Sequence, residues 1–405
     1  MRITAGMQAR LYMEMLRISN AQKVKRSAAY KSSDTITLSG AAKKMSQVSK
    51  NNGPSSNRRI DESIGLKSYI NKAKEKNAET IKSAGDKITS RNSYVSETDV
   101  CYEALNDKYN KLLEVAKSHS NPEAYIQDKY CNENSLYYVS DLTDEEREAA
   151  YDNEINMLKY GKINGCNMRD SLFRGITFPN ANEEDEDQKT FNRQVVNSEM
   201  DNLFKENGIE VPEGTKLSFS IDPYSYNLTV NCTEEKGVKE KMEELLNSGD
   251  NSRELYNHIL SSSRYGIAKS TQFTQDGFRK YDLYHEALDV TGIDIRSLTE
   301  KDGSYYTDDG KNITDIFNSK LEEMAKSGKP YVPKQYTGVC EETFASMIQE
   351  MSYKGWNNIP DMTLSINYSD NKLQDVCQNT NYSESYNKDT IYKYGKNSFN
   401  TLPYL

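Results

Sequence analysis

Few residues in this 405-residue chain are of a type that does chemistry near neutral pH, and their spacing joins none of them into a known motif. The histidines are His119, His258 and His285, and the cysteines are Cys101, Cys131, Cys166, Cys232, Cys340 and Cys377. No two cysteines stand closer than 30 residues, so no Cys-x-x-Cys pair, zinc ribbon or compact disulfide framework is written here. Scattered free thiols are the simpler expectation. H-E-x-x-H, G-x-S-x-G, the P-loop and G-x-G-x-x-G are all missing from the sequence. One arrangement carries a mechanism. Cys340 opens an amphipathic helix, where the helix dipole would lower its thiol pKa, and His258 or His285 could then serve as base in a thiol hydrolase. Glu341 and Glu342 set negative charge beside that thiol and are better explained as first-turn complements to the dipole. His258 and His285 both sit among apolar helical neighbours, as packed histidines do. The acidic run 182–187 lacks the spaced oxygens and central glycine of a calcium loop and reads as a solvated loop. With 61 acidic residues, carboxylate pairs are too many to choose among. No catalytic residue, metal or cofactor is assigned.

The elements that would position any site are written more clearly. In 199–206, Met200, Leu203 and Phe204 share a helical face, and Asn207-Gly208 supplies a left-handed stop. After Pro212 and Gly214, Leu217, Phe219 and Ile221 alternate with Lys216, Ser218 and Ser220, then Asp222-Pro223-Tyr224-Ser225 turns the chain, and Leu228 and Val230 resume. The spacing predicts a hairpin over 216–232. Helices follow at 236–246 (Val238, Met242, Leu245, Leu246) and 252–260 (Leu255, Tyr256, Ile259), with a further one carrying Ala287 and Leu288. Ile313, Ile316, Phe317 and Leu321 mark another helix ended by Gly328-Lys329-Pro330, and 340–351 a last one with Phe344, Ile348 and Met351. Beyond it, Gly355, Ile359-Pro360 and MTLSINYSDNKL echo Gly208, Val211-Pro212 and KLSFSIDPYSYNL. If that echo is structural, the hairpins near 216–232 and 362–377 pair into one antiparallel sheet of four strands with helices on one side.

Upstream, Ser96 with Asp99 forms a capping box for a helix striped by Val100, Ala104, Leu105, Tyr109, Leu112, Leu113 and Ala116, which Asn121-Pro122 ends. Tyr137-Tyr138-Val139 reads as a short extended piece. Thr143 and Glu146 form a second box, opening a helix that stops near Gly161. Residues 294–309 are polar and turn-rich. Residues 60–88 carry a weakly helical pattern but hold too few large apolar side chains to offset ordering, so partial disorder is expected there.

Several of these stretches, NGIEVPEGTKLSFSIDPYSYNLTV, ELLNSGDNSRELYNHILSSS, FRGITFP and FNRQVVN, together resemble a family of uncharacterised bacterial proteins, mostly Gram-positive, over about residues 172–317. The resemblance implies a bacterial origin and a shared fold, and no reaction. The opening MRITAGMQARLYMEMLRISNAQ is weakly similar to the start of flagellar hook-associated proteins, whose N-termini carry export information. SSDTITLSGAAKKM resembles a phrase recurring near the termini of flagellum-linked bacterial proteins.

Charge separates this N-terminal region from the rest. Residues 1–59 hold twelve Lys/Arg against Glu14 and Asp34, a net of +10, which leaves −19 for the remainder of a chain whose total is −9. Met7, Leu11, Met15 and Ile18 give the arm an amphipathic helix near 7–19. Such an arm suits export, a secretion chaperone or another protein partner. An anionic membrane surface or nucleic acid is the alternative, although no clustered basic run or aromatic platform favours nucleic acid. No stretch approaches a membrane span or a cleavable signal, so the expected location is cytoplasmic, or exported without a cleaved leader. Hydrophobic residues make up 36% and mean hydropathy is −0.86. The 29 tyrosines against the single Trp356 follow an A/T-rich codon bias better than they follow an aromatic sugar platform. The whole is read as an α+β protein, mainly helical with a small antiparallel sheet. Its expected organisation is a basic, flexible region (1–95), a helical subdomain (96–180), an α+β core (190–378) and a polar tail (379–405).

Overall fold

The computed structural model describes residues 62–90, 93–163, 165–176, 181–212, 214–231, 236–262 and 272–376. The basic arm, its amphipathic helix, Cys232, Cys377 and the tail lie outside these residues. The described chain forms an α+β fold, mainly helical with small antiparallel sheets, in two compact units.

The helical unit comprises α1 (Glu62–Lys82), α2 (Glu97–Lys117), α3 (Pro122–Cys131), α4 (Asp144–Tyr160) and α5 (Ala181–Glu206). Ser96 caps α2 by accepting from the Asp99 N–H, and the predicted stripe is buried at Val100, Ala104, Leu105, Tyr109, Leu113 and Ala116. The Thr143–Glu146 box forms in both directions at α4, and Gly161 closes that helix with φ of 67°. Four expectations need correction. The weakly helical pattern of 60–88 is a continuous helix over 62–82 in place of partial disorder, because polar clamps order a segment poor in apolar area. The Asn77 amide grips the Val95 backbone at both N–H and C=O (3.0 Å each), and the Tyr69 hydroxyl donates to Asp107 (2.7 Å). Asn121-Pro122 starts α3 as well as ending α2. Asn121 Oδ1 accepts from the Ala124 N–H, and Pro122 sits in the first turn, where a missing N–H costs nothing. Tyr137 lies in a turn, and 137–139 form no strand. The acidic run falls in the first turns of α5, where its carboxylates complement the helix dipole.

Two charged groups are drawn into the core of this unit. Glu154 is fully buried and receives bonds from Lys129 (2.7 Å) and the Tyr130 hydroxyl (2.6 Å). Asp170 receives Lys108 (2.7 Å) and the Tyr109 hydroxyl. Burial and the neighbouring carboxylates push both phenols far above their ordinary range, so they stay protonated donors.

The second unit carries the sheet. It contains β1 (Leu217–Ile221), β2 (Leu228–Asn231), α6 (Lys236–Leu246), α7 (Asn251–Ser262) and α8 (Gln275–Thr291). There follow β3 (Thr299–Lys301), β4 (Ser304–Tyr306), α9 (Ile313–Lys326), α10 (Thr337–Lys354), β5 (Leu364–Ser369) and β6 (Lys372–Asp375). The strand order is β2-β1-β5-β6, so the two hairpins do pair, antiparallel, through their first strands. The pairing explains the echo. Leu217 lies opposite Tyr368, Phe219 opposite Ile366 and Ile221 opposite Leu364. The spacing that carries Leu217 onto Leu364 also carries Phe219 onto Ile366 and Gly208 onto Gly355, both of which have positive φ. Phe219 and Ile366, equivalent in the echo, therefore face each other across a local two-fold axis between β1 and β5.

Leu217, Phe219, Ile221, Leu228, Val230, Leu364, Ile366, Tyr368 and Leu373 bury one face of the sheet. Its β2 edge is closed by side chains. On β2, Asn247 holds the Leu228 N–H (2.7 Å) and C=O (2.9 Å), and Glu243 accepts from the Val230 N–H (2.8 Å). Occupied in this way, the β2 edge offers no free ladder to an added strand. The polar stretch 294–309 contains the unpredicted β3–β4 hairpin. Its Asp302-Gly303 turn, with φ of 51° and 82°, is the signal that would have found it. Helices α8, α9 and α10 pack around Phe317 and Phe344, whose rings stack at 3.7 Å.

Candidate functional site

The densest concentration of ionisable and aromatic groups surrounds the turn between β1 and β2. Asp222 shapes that turn by accepting from the N–H groups of Tyr224 (3.0 Å) and Ser225 (2.7 Å), and Tyr226 takes the left-handed conformation at φ of 57°. Tyr224 and Tyr226 are thereby delivered to α8. Tyr224 packs edge-on against Tyr284 (4.6 Å), and the Arg296 guanidinium lies over both rings (4.6 and 4.8 Å), steered by Asp294 (2.6 Å). The Tyr224 hydroxyl donates to Asp361 (2.5 Å), which also pairs with Lys280 (2.8 Å). Lys280 is nearly buried, donates to the Ile359 carbonyl (2.8 Å) and sits over Trp356 (5.1 Å). Gly277, one turn earlier, lets α8 approach the Pro360 carbonyl, which an added Cβ would meet at 3.1 Å.

His285 stands at the centre. Its Nε2–H donates to the Pro223 carbonyl (2.7 Å), its ring stacks on Tyr226 (5.2 Å, 17°), and the Tyr226 and Tyr281 hydroxyls share a bond (2.9 Å). Burial pulls the His285 pKa down to about 4, partly offset by the Pro223 bond, so the ring is neutral at physiological pH. Burial pushes Tyr226 up to about 12 and Tyr224 and Tyr281 higher still, Tyr224 with help from its bond to Asp361. Burial would also lift the Asp361 carboxyl, yet bonds from Lys280 and Tyr224 bring it below the usual range. Phenols that hold their protons and an imidazole that refuses one make a clamp on the turn rather than a proton-transfer relay.

The residues singled out for thiol chemistry go elsewhere. Cys340 lies in the first turns of α10, 8% exposed, and its Sγ–H donates to Glu286 Oε1 (3.3 Å). A carboxylate acceptor stabilises the thiol over the thiolate, the reverse of what a nucleophile needs. Because α10 begins at Thr337, Glu341 and Glu342 fall beyond its first turn and are not the dipole complements expected. His258 is fully buried on α7, and His119 stacks on Tyr125 at 3.9 Å in the helical unit. What the sequence reading missed is the cluster itself. Tyr224, Tyr226, Tyr281, Arg296 and Asp361 converge from four separate segments, and no local spacing announces that. Among the described residues no group of three or more His, Cys, Asp or Glu is placed to hold a metal ion.

Comparison with known proteins matches the sequence to a family of unknown function. A family model described as "Domain of unknown function (DUF4885)" covers residues 59–393. The chain is 37% identical over 308 residues to the uncharacterised protein YbdO of Bacillus subtilis (strain 168), an alignment spanning 76% of each chain. No solved structure matches. The expected resemblance to uncharacterised bacterial proteins thus holds, and over more of the chain than 172–317; the protein belongs to the DUF4885 family.

Proposed function

We propose that this protein acts by binding rather than by catalysis, and that residues 1–59 form an arm for export or for docking on a protein partner such as a secretion chaperone. The observation that carries this reading is the charge partition, +10 on the arm against −19 on the rest. Such a separation steers association with an acidic partner through long-range fields. The groups that would argue for an enzyme support it by their commitments. Cys340 is bonded to Glu286, His285 to Pro223, and Lys280 to Ile359 and Asp361. Among the described residues no helix is long and apolar enough to cross a membrane.

The test is fractionation of producing cells into cytoplasm, envelope and medium, for the full chain and for a variant lacking residues 1–59. Release of the full chain alone supports an export role for the arm. If both forms behave identically, and affinity capture with each recovers the same proteins, the arm has no such role. An anionic surface or nucleic acid as partner is distinguished by salt. Binding to either through the arm weakens steeply between about 50 and 200 mM salt.

A further inference from the structure

The polar face of the four-stranded sheet is not an ordinary solvated face. Strand positions favour β-branched and aromatic side chains such as Thr, Val and Tyr, and Asn is depleted there. Here β1 and β5 present Ser218, Ser220, Ser365, Asn367 and Ser369, short side chains that leave room above the sheet. A cavity of about 550 Å³ occupies that room, with Lys216, Ser218, Asn231, Lys239, Asn367 and Gln374 around it.

The local two-fold axis makes the contrast within this face informative. It relates the cross-strand pair Ser220–Ser365 to the pair Ser218–Asn367. The first pair is closed on itself. The two hydroxyls share a bond of 2.9 Å, and the Asn231 amide caps Ser220 at 3.3 Å. The second pair lies under the cavity, and among the described residues neither the Ser218 hydroxyl nor the Asn367 amide takes a side-chain hydrogen bond. Two equivalent positions have thus diverged, one to complete the sheet and one to leave the Ser218–Asn367 pair open under the cavity. Among the described residues no carboxylate lines the cavity, although the chain carries a net charge of −9. Its charged lining groups are Lys216, which is exposed, and Lys239, which makes only a long 3.7 Å contact with Glu243. The one lining ring among the described residues, Tyr368, is buried and packs against Phe219 at 5.8 Å, so recognition runs through hydrogen bonds and not through stacking.

We propose that this cleft is a binding site for a small polyhydroxylated anion, a sugar acid or sugar phosphate. Its hydroxyls meet the Ser218–Asn367 pair and its anionic group meets Lys216 and Lys239. The site is separate from the turn cluster. Where strand propensity is sacrificed at central positions without a structural return, a functional constraint is the physical reason.

Calorimetric titration of the full-length protein with glucose 6-phosphate and glucuronate, beside glucose and inorganic phosphate, tests this. The proposal expects one anionic sugar to bind at least about tenfold more tightly than glucose or phosphate alone. It further expects Ser218→Val to weaken that binding by about tenfold or more while leaving the melting temperature unchanged or raised, since Val is the better strand former. Lys216→Gln separates the sources of affinity by weakening both anions and sparing glucose. Absence of binding for all four probes, or binding that survives Ser218→Val unchanged, overturns the proposal.

Discussion

At the scale of single residues, His285 makes the fold sensitive to acid in a window that can be named. Its folded pKa of about 4 lies below the ordinary 6.5, so the unfolded chain binds the extra proton between those values. The stability it contributes is full above about pH 6.5 and is lost as pH falls towards 4, at most about 3 kcal/mol for a shift of this size. Asp289, one turn further along α8, works in the opposite direction. Burial pushes its carboxyl up to about 6, but the group is exposed, and solvent screening limits its offset. The helical unit has a different window. Glu146 is held down at about 2 chiefly by its bond from Arg174 (2.5 Å), against burial, so its contribution is present above about 4.5 and fades only towards 2. An acid titration followed by hydrogen exchange should therefore open residues 222–228 and α8 at a higher pH than α4. His285→Gln, which can still donate to Pro223, should flatten the loss between pH 6.5 and 4. An unchanged pH profile in that variant would show that His285 is not the titrating group.

At the scale of elements, the structure shows which physical signals a sequence exposes and which it hides. Elements driven by apolar periodicity with orthodox caps were readable, as with the stripe of α2, the Thr143 box of α4 and the alternation of β1. The echo was readable because a two-fold sheet needs the same alternation written twice. Elements stabilised by polar contacts were not. Among its described side chains α1 buries only the apolar Leu66 and Ala73, and it depends on Asn77 and Tyr69. β3 is exposed at all three positions and has no periodicity to read. The turn cluster was hidden for the same reason, since its contacts join residues far apart in the chain. Closure of the sheet edge belongs to this hidden class and is testable. Asn247→Ala removes both bonds to Leu228 together with one to the Glu243 carbonyl (2.8 Å), and should cost about 2 kcal/mol. Leu228 should then exchange its amide proton faster while Phe219, in the interior strand, stays protected. Equal loss of protection at both would mean that Asn247 supports the whole sheet and not its edge.

At the scale of the whole molecule, the sheet is a long-range structure assembled from two local ones. Each hairpin closes a short turn, six residues at 222–227 and two at Asp370-Asn371, the latter with φ of 49° and 59°. The β1–β5 pairing instead joins segments separated by the whole of α6 to α10, so a large loop-closure entropy is spent before it is formed. An isolated two-stranded hairpin is marginal in water. β1–β2 therefore depends on β5 for Phe219 and Ile221 to be covered on their second strand side. A chain ending before Met362 should lose protection throughout 217–231, and Tyr256, whose hydroxyl bonds the Met362 carbonyl at 2.8 Å, should loosen with it. The helix core around Phe317 and Phe344 draws its buried residues from 283–359 and should retain more of its order in that truncation. Limited proteolysis and hydrogen exchange on the truncated chain distinguish the outcomes. Selective opening of 217–231 identifies the central pairing as the step that completes the sheet. Survival of the first hairpin without β5 would mean that α6, through Asn247 and Glu243, suffices to hold it, and that the two-fold arrangement serves the polar cleft more than it serves stability.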